Sequence, residues 1–353
     1  MQATDTPSAT GGFDLPLDLE PMEARLAESL PDDGGWQYEP KWDGFRCLAF
    51  RNGGEVDIRA KSGKPLGRFF PEVVAFLRDL PTERFVLDGE LLIETDGQLS
   101  FPALQARLHP AASRIEKLSS ETPARLVLFD ILADAAGKSL LEMPLSERRL
   151  LLQRFYEAQR GAADLSLSPA TQDLEEARAW LSASGNASTD GVVAKRLVDP
   201  YATGERAMIK VKRLRTADCV VGGFRYRADS DEVGSLLLGL YDENGQLDHV
   251  GFTATISNAE RAALTKRLEA LREAPGFTGR APGGPSRWST ERSADWQPLR
   301  PELVVEVRFD QVTDGRFRHA TRLLRWRPEK KPSQCGYEQI APLLSLSPFG
   351  AAS

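Results

Sequence analysis

Glu39-Pro40-Lys41-Trp42-Asp43-Gly44-Phe45-Arg46 is the stretch on which the reading of this chain turns. The order Lys-x-Asp-Gly-x-Arg sets an amine, a turn and a guanidinium close together. A lysine amine becomes a covalent nucleophile when its proton is removed, or when neighbouring cations or a metal lower its pKa. Asp43-Gly44 is a turn signal that would present the amine of Lys41, and Arg46 is spaced to reach a ribose or a phosphate. One exposed lysine carries no such meaning. Four specified residues at about 5% usage each, however, arise by chance in roughly one chain in several hundred.

Outward from this stretch the pattern mixes strand and helix. Residues 45–50, 55–60 and 85–93 have strand character, broken by Asn52-Gly53-Gly54 and Ser62-Gly63. Helical periodicity follows at 71–80, 146–159 and 174–183, the last with Asp173 and Glu176 at capping-box spacing and Gly185 just past its end. This half predicts an α+β fold with antiparallel strands. After Arg213 the runs 219–226, 235–241, 303–310 and 321–327 read as strands. They are interrupted by one helix, with a capping box at Ser257 and Glu260, leucines 264, 268 and 271 on one face, and a stop at Pro275-Gly276. Short strands with one helix predict a small OB-type β-barrel, and 276–298 reads as a long loop. The expected organisation is a flexible tail at 1–12, a first domain at 13–213 and a barrel domain at 214–353. No repeat of 20–50 residues is present.

The chain has 353 residues, 45 basic against 51 acidic, and three cysteines, Cys47, Cys219 and Cys335, far apart. Neither a disulfide framework nor a CxxC zinc site is expected. No apolar run reaches membrane-span length and the start is not a signal peptide, so a cytoplasmic protein is expected. The net charge of −6 argues against nucleic acid only until it is located. Residues 1–40 hold one basic residue against nine acids, which leaves the remainder at +2. Residues 195–215 and 313–331 each hold seven basic residues against two acids. A charge run is ordinarily a solvated face; these two lie beside other signals.

No GxxxxGK[ST] loop, GxGxxG fingerprint or HExxH helix occurs, and His109, His249 and His319 are mutually remote. Any nucleotide must therefore be handled by side chains. Lys210 and Lys212 in Met208-Ile209-Lys210-Val211-Lys212 share one face of a strand and can approach one phosphate. Unpaired like charges side by side are unfavourable without an anion or solvent to compensate them; the competing account is an exposed edge strand blunted by lysines. Leu87-Asp88-Gly89-Glu90, Leu128-Phe129-Asp130-Ile131-Leu132, Asp190-Gly191-Val192-Val193-Ala194-Lys195 and Arg325-Trp326-Arg327-Pro328-Glu329-Lys330 complete the ordered set. Taken singly, Glu90 is a solvated acid and Phe129 a core residue. Arg316-Phe317-Arg318-His319 adds cations around an aromatic, which suits a nucleic-acid groove.

From about Asp14 to about Cys335, six motifs in order resemble the ATP-dependent DNA ligases, specifically the short bacterial C-type ligases related to end-joining ligases. The resemblance implies a nucleotidyltransferase (adenylation) domain followed by an OB-fold domain, with Lys41 forming a phosphoramide bond to AMP. It implies Lys41, Asp43, Lys210 and Lys212 as catalytic residues. ATP would be held by Glu39, Lys41, Arg46, Lys61, Glu90, Phe129, Lys195, Lys210, Lys212, Arg327 and Lys330, with Phe129 stacked on adenine. Glu90 and Asp190 would hold Mg²⁺, or Mn²⁺ in its place. Arg316, Arg318 and Arg325 would meet DNA, and Arg327 and Lys330 would orient the departing pyrophosphate when the domains close. Three departures stand out: Lys61 occupies the family's usual Arg in Ala60-Lys61-Ser62-Gly63, Asp190 is one methylene shorter than the common Glu, and Glu329 replaces the commoner Asp.

The expected reaction is three phosphoryl transfers: AMP to Lys41, AMP to the 5′-phosphate of a DNA break, then attack by the 3′-hydroxyl with release of AMP. RNA-capping guanylyltransferases share the Lys-x-Asp-Gly nucleophile, and a catalytically silent DNA-end-binding module would keep the fold. Both stay open as alternatives. The expected substrate is nicked or broken duplex DNA, bound by a monomer at the bacterial nucleoid, with no membrane partner. Two domains account for the length, so repair proteins would supply end bridging or gap filling. The sequence does not choose between end joining and excision repair.

Overall fold

The computed structural model describes residues 15–159, 162–185, 188–283 and 295–341. The chain parts into two compact units between Lys212 and Arg213. The 1–12 tail and residues 284–294 of the expected long loop lie outside the described residues.

In the first unit a six-stranded sheet runs in the order Glu55–Ala60, Phe45–Asn52, Arg84–Thr95, Ala124–Ala133, Leu165–Leu167, with Gln98–Leu99 paired to Arg84–Thr95. Arg84–Thr95 lies between two neighbours. Its apolar residues Phe85, Val86, Leu87, Leu91, Leu92 and Ile93 are at most 1% exposed, so both faces are covered. That explains the near-continuous hydrophobic run where a half-exposed strand would alternate. Helices Pro71–Asp79 and Leu145–Ala158 pack Val73, Leu77 and Leu152 onto Phe85, Leu87, Leu126 and Leu128, each such side chain contributing roughly 1.5–3 kcal/mol by burial.

A four-stranded sheet runs Ala24–Ala27, Met208–Lys212, Thr189–Arg196, Trp36–Trp42. Helix Leu174–Ala183 covers it through Ala177, packed with Trp36, Tyr38, Val192 and Ile209. Asp43-Gly44 is the whole connection between Trp36–Trp42 in this sheet and Phe45–Asn52 in the other. Gly44 is required there, because a Cβ would collide with the Leu91 carbonyl oxygen.

Arg215–Tyr226, Val233–Tyr241, Leu247–Thr253, Val304–Phe309 and Arg322–Trp326 build the second unit, ordered with Leu247–Thr253 at one end and Arg322–Trp326 at the other. The ends meet. Thr253 pairs with Thr321 in a parallel bridge, Thr253 Oγ1 donates to Thr321 O at 2.9 Å, and Leu323 N donates to Thr253 Oγ1 at 3.2 Å. The sheet thus closes into a barrel around Cys219, Val220, Leu237, Leu238, Val250 and Val305, with helix Arg261–Glu269 adding Leu264 and Leu268. This is the expected OB-type architecture.

Several local expectations are corrected. Two strand pairings are parallel, Ala24–Ala27 with Met208–Lys212 and Ala124–Ala133 with Leu165–Leu167. Met208–Lys212 is not an edge strand, since it has a neighbour on each side. Asp173 caps its helix through the N–H of Glu175 at 2.8 Å, one residue earlier than a capping box requires. Ser257 makes no side-chain cap; Asn258–Glu260 is a 3₁₀ turn leading into Arg261–Glu269, which ends ahead of Pro275. Helices Phe101–Arg107 and Ala112–Glu121 have no counterpart in the sequence reading, because each is short and carries a narrow apolar face. All three cysteines are free and buried.

Candidate active site

Strand register builds the site. Lys41 stands opposite Gly191, and Gly191 stands opposite Lys212, so the two lysines flank one glycine across three strands. Asp190, the preceding residue, places its carboxylate between them: Oδ1 lies 2.7 Å from Lys41 Nζ and Oδ2 lies 2.9 Å from Lys212 Nζ. The carboxylate is 3% exposed, the lysines 25% and 19%. Gly191 lets the strands approach, because a Cβ would strike the Val211 carbonyl oxygen. The Asp-Gly pair is therefore one device, an acid beside a gap in the strand wall.

Lys41 opens onto a cleft of about 240 Å³ whose lining includes Glu39, Arg46, Lys61, Glu90, Phe129, Lys195 and Lys210. Eight of the residues expected from the motifs, Lys41 among them, thus meet on one wall system. Asp43, Asp190 and Lys212 do not line it themselves; Asp190 and Lys212 adjoin it through Lys41, and the Asp43 N–H donates to Ser188 O at 3.0 Å in the connection between the sheets.

Each cation but one is already matched to a carboxylate. Lys195 bonds Glu39 at 2.9 Å in a buried pair, and Gln37 donates to the same carboxylate at 2.7 Å. Lys61 lies 2.8 Å from Glu23. Arg46, expected to reach outward, is turned onto Asp88, where Nε and Nη2 both donate; Tyr201 OH donates to the same carboxylate at 2.6 Å. Among the described residues Lys210 has no carboxylate within ion-pair distance. Burial, then the charges of Lys41, Lys212 and Lys61, lowers its pKa, which is the environment of a cation awaiting an anion.

Phe129 is half-buried and faces the cleft, unlike its core neighbours Leu128 and Leu126. Arg46 and Lys195 sit over its ring, 4.6 and 4.8 Å from the centroid. The ring thus already attracts cationic groups within the cleft. Glu90 is the one half-buried position within 85–93, and Gly44 N donates to its Oε1 at 3.1 Å. Burial pushes its pKa up to about 8, opposed by Lys41 and Arg46.

Glu90 and Asp190 are hard oxygen donors. Among the described residues no group of three or more His, Cys, Asp or Glu side chains gathers. Carboxylate oxygens suit Mg²⁺, which binds through one or two of them and completes its shell with waters and substrate phosphates; Glu90 lines the cleft, while both oxygens of Asp190 are held by Lys41 and Lys212.

The remaining expected residues lie in the second unit. Arg327 Nη1 and Lys330 Nζ both contact Asp218, at 2.7 and 2.6 Å on different oxygens, and Arg325 bonds Glu306 at 2.6 Å. Arg316 lies 2.8 Å from His249 Nδ1, and Arg318 donates to Gln311 Oε1 at 3.0 Å. Sequence reading passed over Asp88, Asp218, Gln37 and Glu23. Asp88 was signalled by its period-two spacing from Glu90, and Asp218 by its place as a lone acid in an apolar strand.

Comparison with known proteins bears on the chain as a whole. Residues 21–212 match the family model of the ATP dependent DNA ligase domain, and 229–330 match the ATP dependent DNA ligase C terminal region. DNA ligase C1 of Mycolicibacterium smegmatis is 43% identical over 340 residues, covering 93% of this chain and 96% of its own. The multifunctional non-homologous end joining protein LigD of Mycobacterium bovis is 32% identical over 311 residues, covering 85% of this chain and 37% of its own. A solved Lig E DNA ligase has the same fold, with a TM-score of 0.53 at 16% identity, over 86% of this chain and 99% of that one.

Proposed function

The chain belongs to the ATP-dependent DNA ligase family, and from that premise we propose how its own residues divide the work of sealing breaks in duplex DNA during repair. The observation that carries the reading is Asp190 held between Lys41 and Lys212 at the mouth of a cleft that also gathers Phe129, Glu90 and Lys210.

The neutral amine of Lys41 attacks the α-phosphorus of ATP. A P–N bond forms, the bond from α-phosphorus to the β-bridging oxygen breaks, and pyrophosphate leaves. Asp190, 2.7 Å from Nζ, receives the proton that the amine sheds. Phe129 stacks on adenine, Arg46 and Glu90 meet the ribose, and Glu39 with Lys195 frames the base edge. Lys61, Lys210 and Lys212 offset the charge developing on the α-phosphate, and Arg327 and Lys330 take the departing pyrophosphate. Glu90 and Asp190 would hold Mg²⁺, which would supply Lewis-acid stabilisation of phosphoryl oxygens. AMP then passes to the 5′-phosphate at the break, and the 3′-hydroxyl displaces it, with Arg316, Arg318 and Arg325 gripping the duplex.

Among the described residues no helix is long and apolar enough to cross a membrane. We place the protein at the bacterial nucleoid as a monomer, with separate proteins bridging ends or filling gaps. Labelling with α-labelled ATP tests the nucleophile: wild type should carry one AMP and Lys41→Ala none. Labelled Lys41→Ala protein, or labelling by GTP in preference to ATP, would reject the assignment.

A further inference from the structure

The cations assigned to pyrophosphate, Arg327 and Lys330, are already engaged. Asp218 and Glu306 face each other in register on adjacent strands, a pairing of like charges that is unfavourable by itself. Arg327 joins them, with Nη1 2.7 Å from Asp218 and 3.5 Å from Glu306, while Lys330 takes the second oxygen of Asp218 at 2.6 Å. Glu329 holds Arg327 Nε at 2.6 Å and Arg325 completes the cluster on Glu306. Three acids thus cancel three bases. Asp218 cannot retreat, because Gln339 brackets its peptide: Asp218 N donates to Gln339 Oε1 at 2.9 Å and Gln339 Nε2 donates to Asp218 O at 3.1 Å. Its side chain is only 10% exposed.

We propose that Asp218 is a built-in competitor for the pyrophosphate of ATP, occupying Arg327 and Lys330 in the resting protein, so that ATP must draw both cations off this carboxylate. The proposal rests on the assignment of Arg327 and Lys330 to pyrophosphate. A carboxylate presents two oxygens on one centre, as a phosphoryl group does, and here each oxygen takes one cation. Sharing both cations would bring pyrophosphate close to a buried carboxylate of like charge, so the two anions exclude one another. Once Arg327 and Lys330 leave, Asp218 stands without a cation beside Glu306, which keeps only Arg325, and this returns both cations when pyrophosphate departs. Asp218 is thus a positioning residue that lowers apparent ATP affinity by the fraction of chains whose cations are released.

The test is single-turnover adenylation across an ATP series. Asp218→Asn should lower the half-saturating ATP concentration about fivefold or more, with the maximal rate within about twofold. That gain should vanish in an Arg327→Gln/Lys330→Ala background. Asp218→Ser, which also removes the charge, gives the same readout if the asparagine variant does not fold. If charge removal leaves half-saturation unchanged or raises it, while Lys330→Ala raises it, Asp218 is no competitor and the pyrophosphate assignment survives. If Arg327→Gln and Lys330→Ala leave adenylation unaltered, that assignment itself fails and the gate with it.

Discussion

Asp190 Oδ1 lies 2.7 Å from Lys41 Nζ, and the same carboxylate reaches Lys212 with its other oxygen. One buried anion therefore orients the amine and neutralises a second cation that would otherwise repel it. Asp190→Asn keeps the shape and removes both effects. Lysyl-AMP formation at saturating ATP should fall by roughly 10²–10⁴, the range for loss of a proton acceptor. A rate within threefold of wild type would remove Asp190 from the chemistry.

Phe129 faces the cleft and is not core, so trimming it should spare the fold. Loss of base stacking costs about 1–3 kcal/mol, and Phe129→Ala should raise half-saturating ATP by roughly 5- to 150-fold. Phe129→Trp should stay near wild type. Equal damage from both substitutions, or a lowered melting temperature for the alanine variant, would point to packing instead.

Gly44 carries the chain between two sheets against the Leu91 carbonyl. Gly44→Ala should destabilise by about 1–3 kcal/mol through overpacking, and should also slow adenylation, because Lys41 and Glu90 are aligned through this turn. Thermal melting read together with labelling checks it; an alanine variant that melts and labels like wild type contradicts the close approach.

His249 is 5% exposed, and burial, then Arg316 and Arg225, pulls its pKa down from 6.5 to about 3. Because the folded value lies below the unfolded one, the neutral ring favours folding above pH 6.5, and that contribution is lost as pH falls from 6.5 toward 3. Stability should drop by about 2 kcal/mol between pH 7 and pH 5 from this group alone. Denaturant titrations of His249→Gln should show a correspondingly flatter pH dependence; an unchanged slope would assign the loss elsewhere.

Binding to nicked duplex should depend steeply on salt, since the net charge of −6 averages an acidic leader over two basic segments. With about five phosphate contacts, affinity should fall roughly 500-fold from about 50 to about 200 mM salt. A flat dependence would show that the basic segments do not carry the contact.

Much of the site was legible because the chemistry resides in short contiguous motifs. Lys-x-Asp-Gly-x-Arg, Asp-Gly-Glu and Lys-Val-Lys each announce a turn or a strand face within a few residues, and the structure brings Lys41, Glu90, Phe129, Lys195 and Lys210 to one cleft. The helices Phe101–Arg107 and Ala112–Glu121 escaped notice, since the first spans only seven residues and the second buries only Ile115, so neither offers a repeated apolar face. The capping signal at Ser257 misled for a related reason: spacing permits a cap, but the chain formed a 3₁₀ turn there.

Read alone, the chain determined its two-part α+β and barrel architecture, the lysine proposed as nucleophile and the kinds of groups around it. Those features follow from residue type and local period, which act over a few positions. Tertiary structure alone decided which charges hold one another: Asp190 between Lys41 and Lys212, Asp88 on Arg46, Asp218 on Arg327 and Lys330. These partners lie on different segments of the chain, tens of residues or more apart in sequence. Pair energies depend on distance and burial, which are set only when the sheets register, so no reading along the chain contains them.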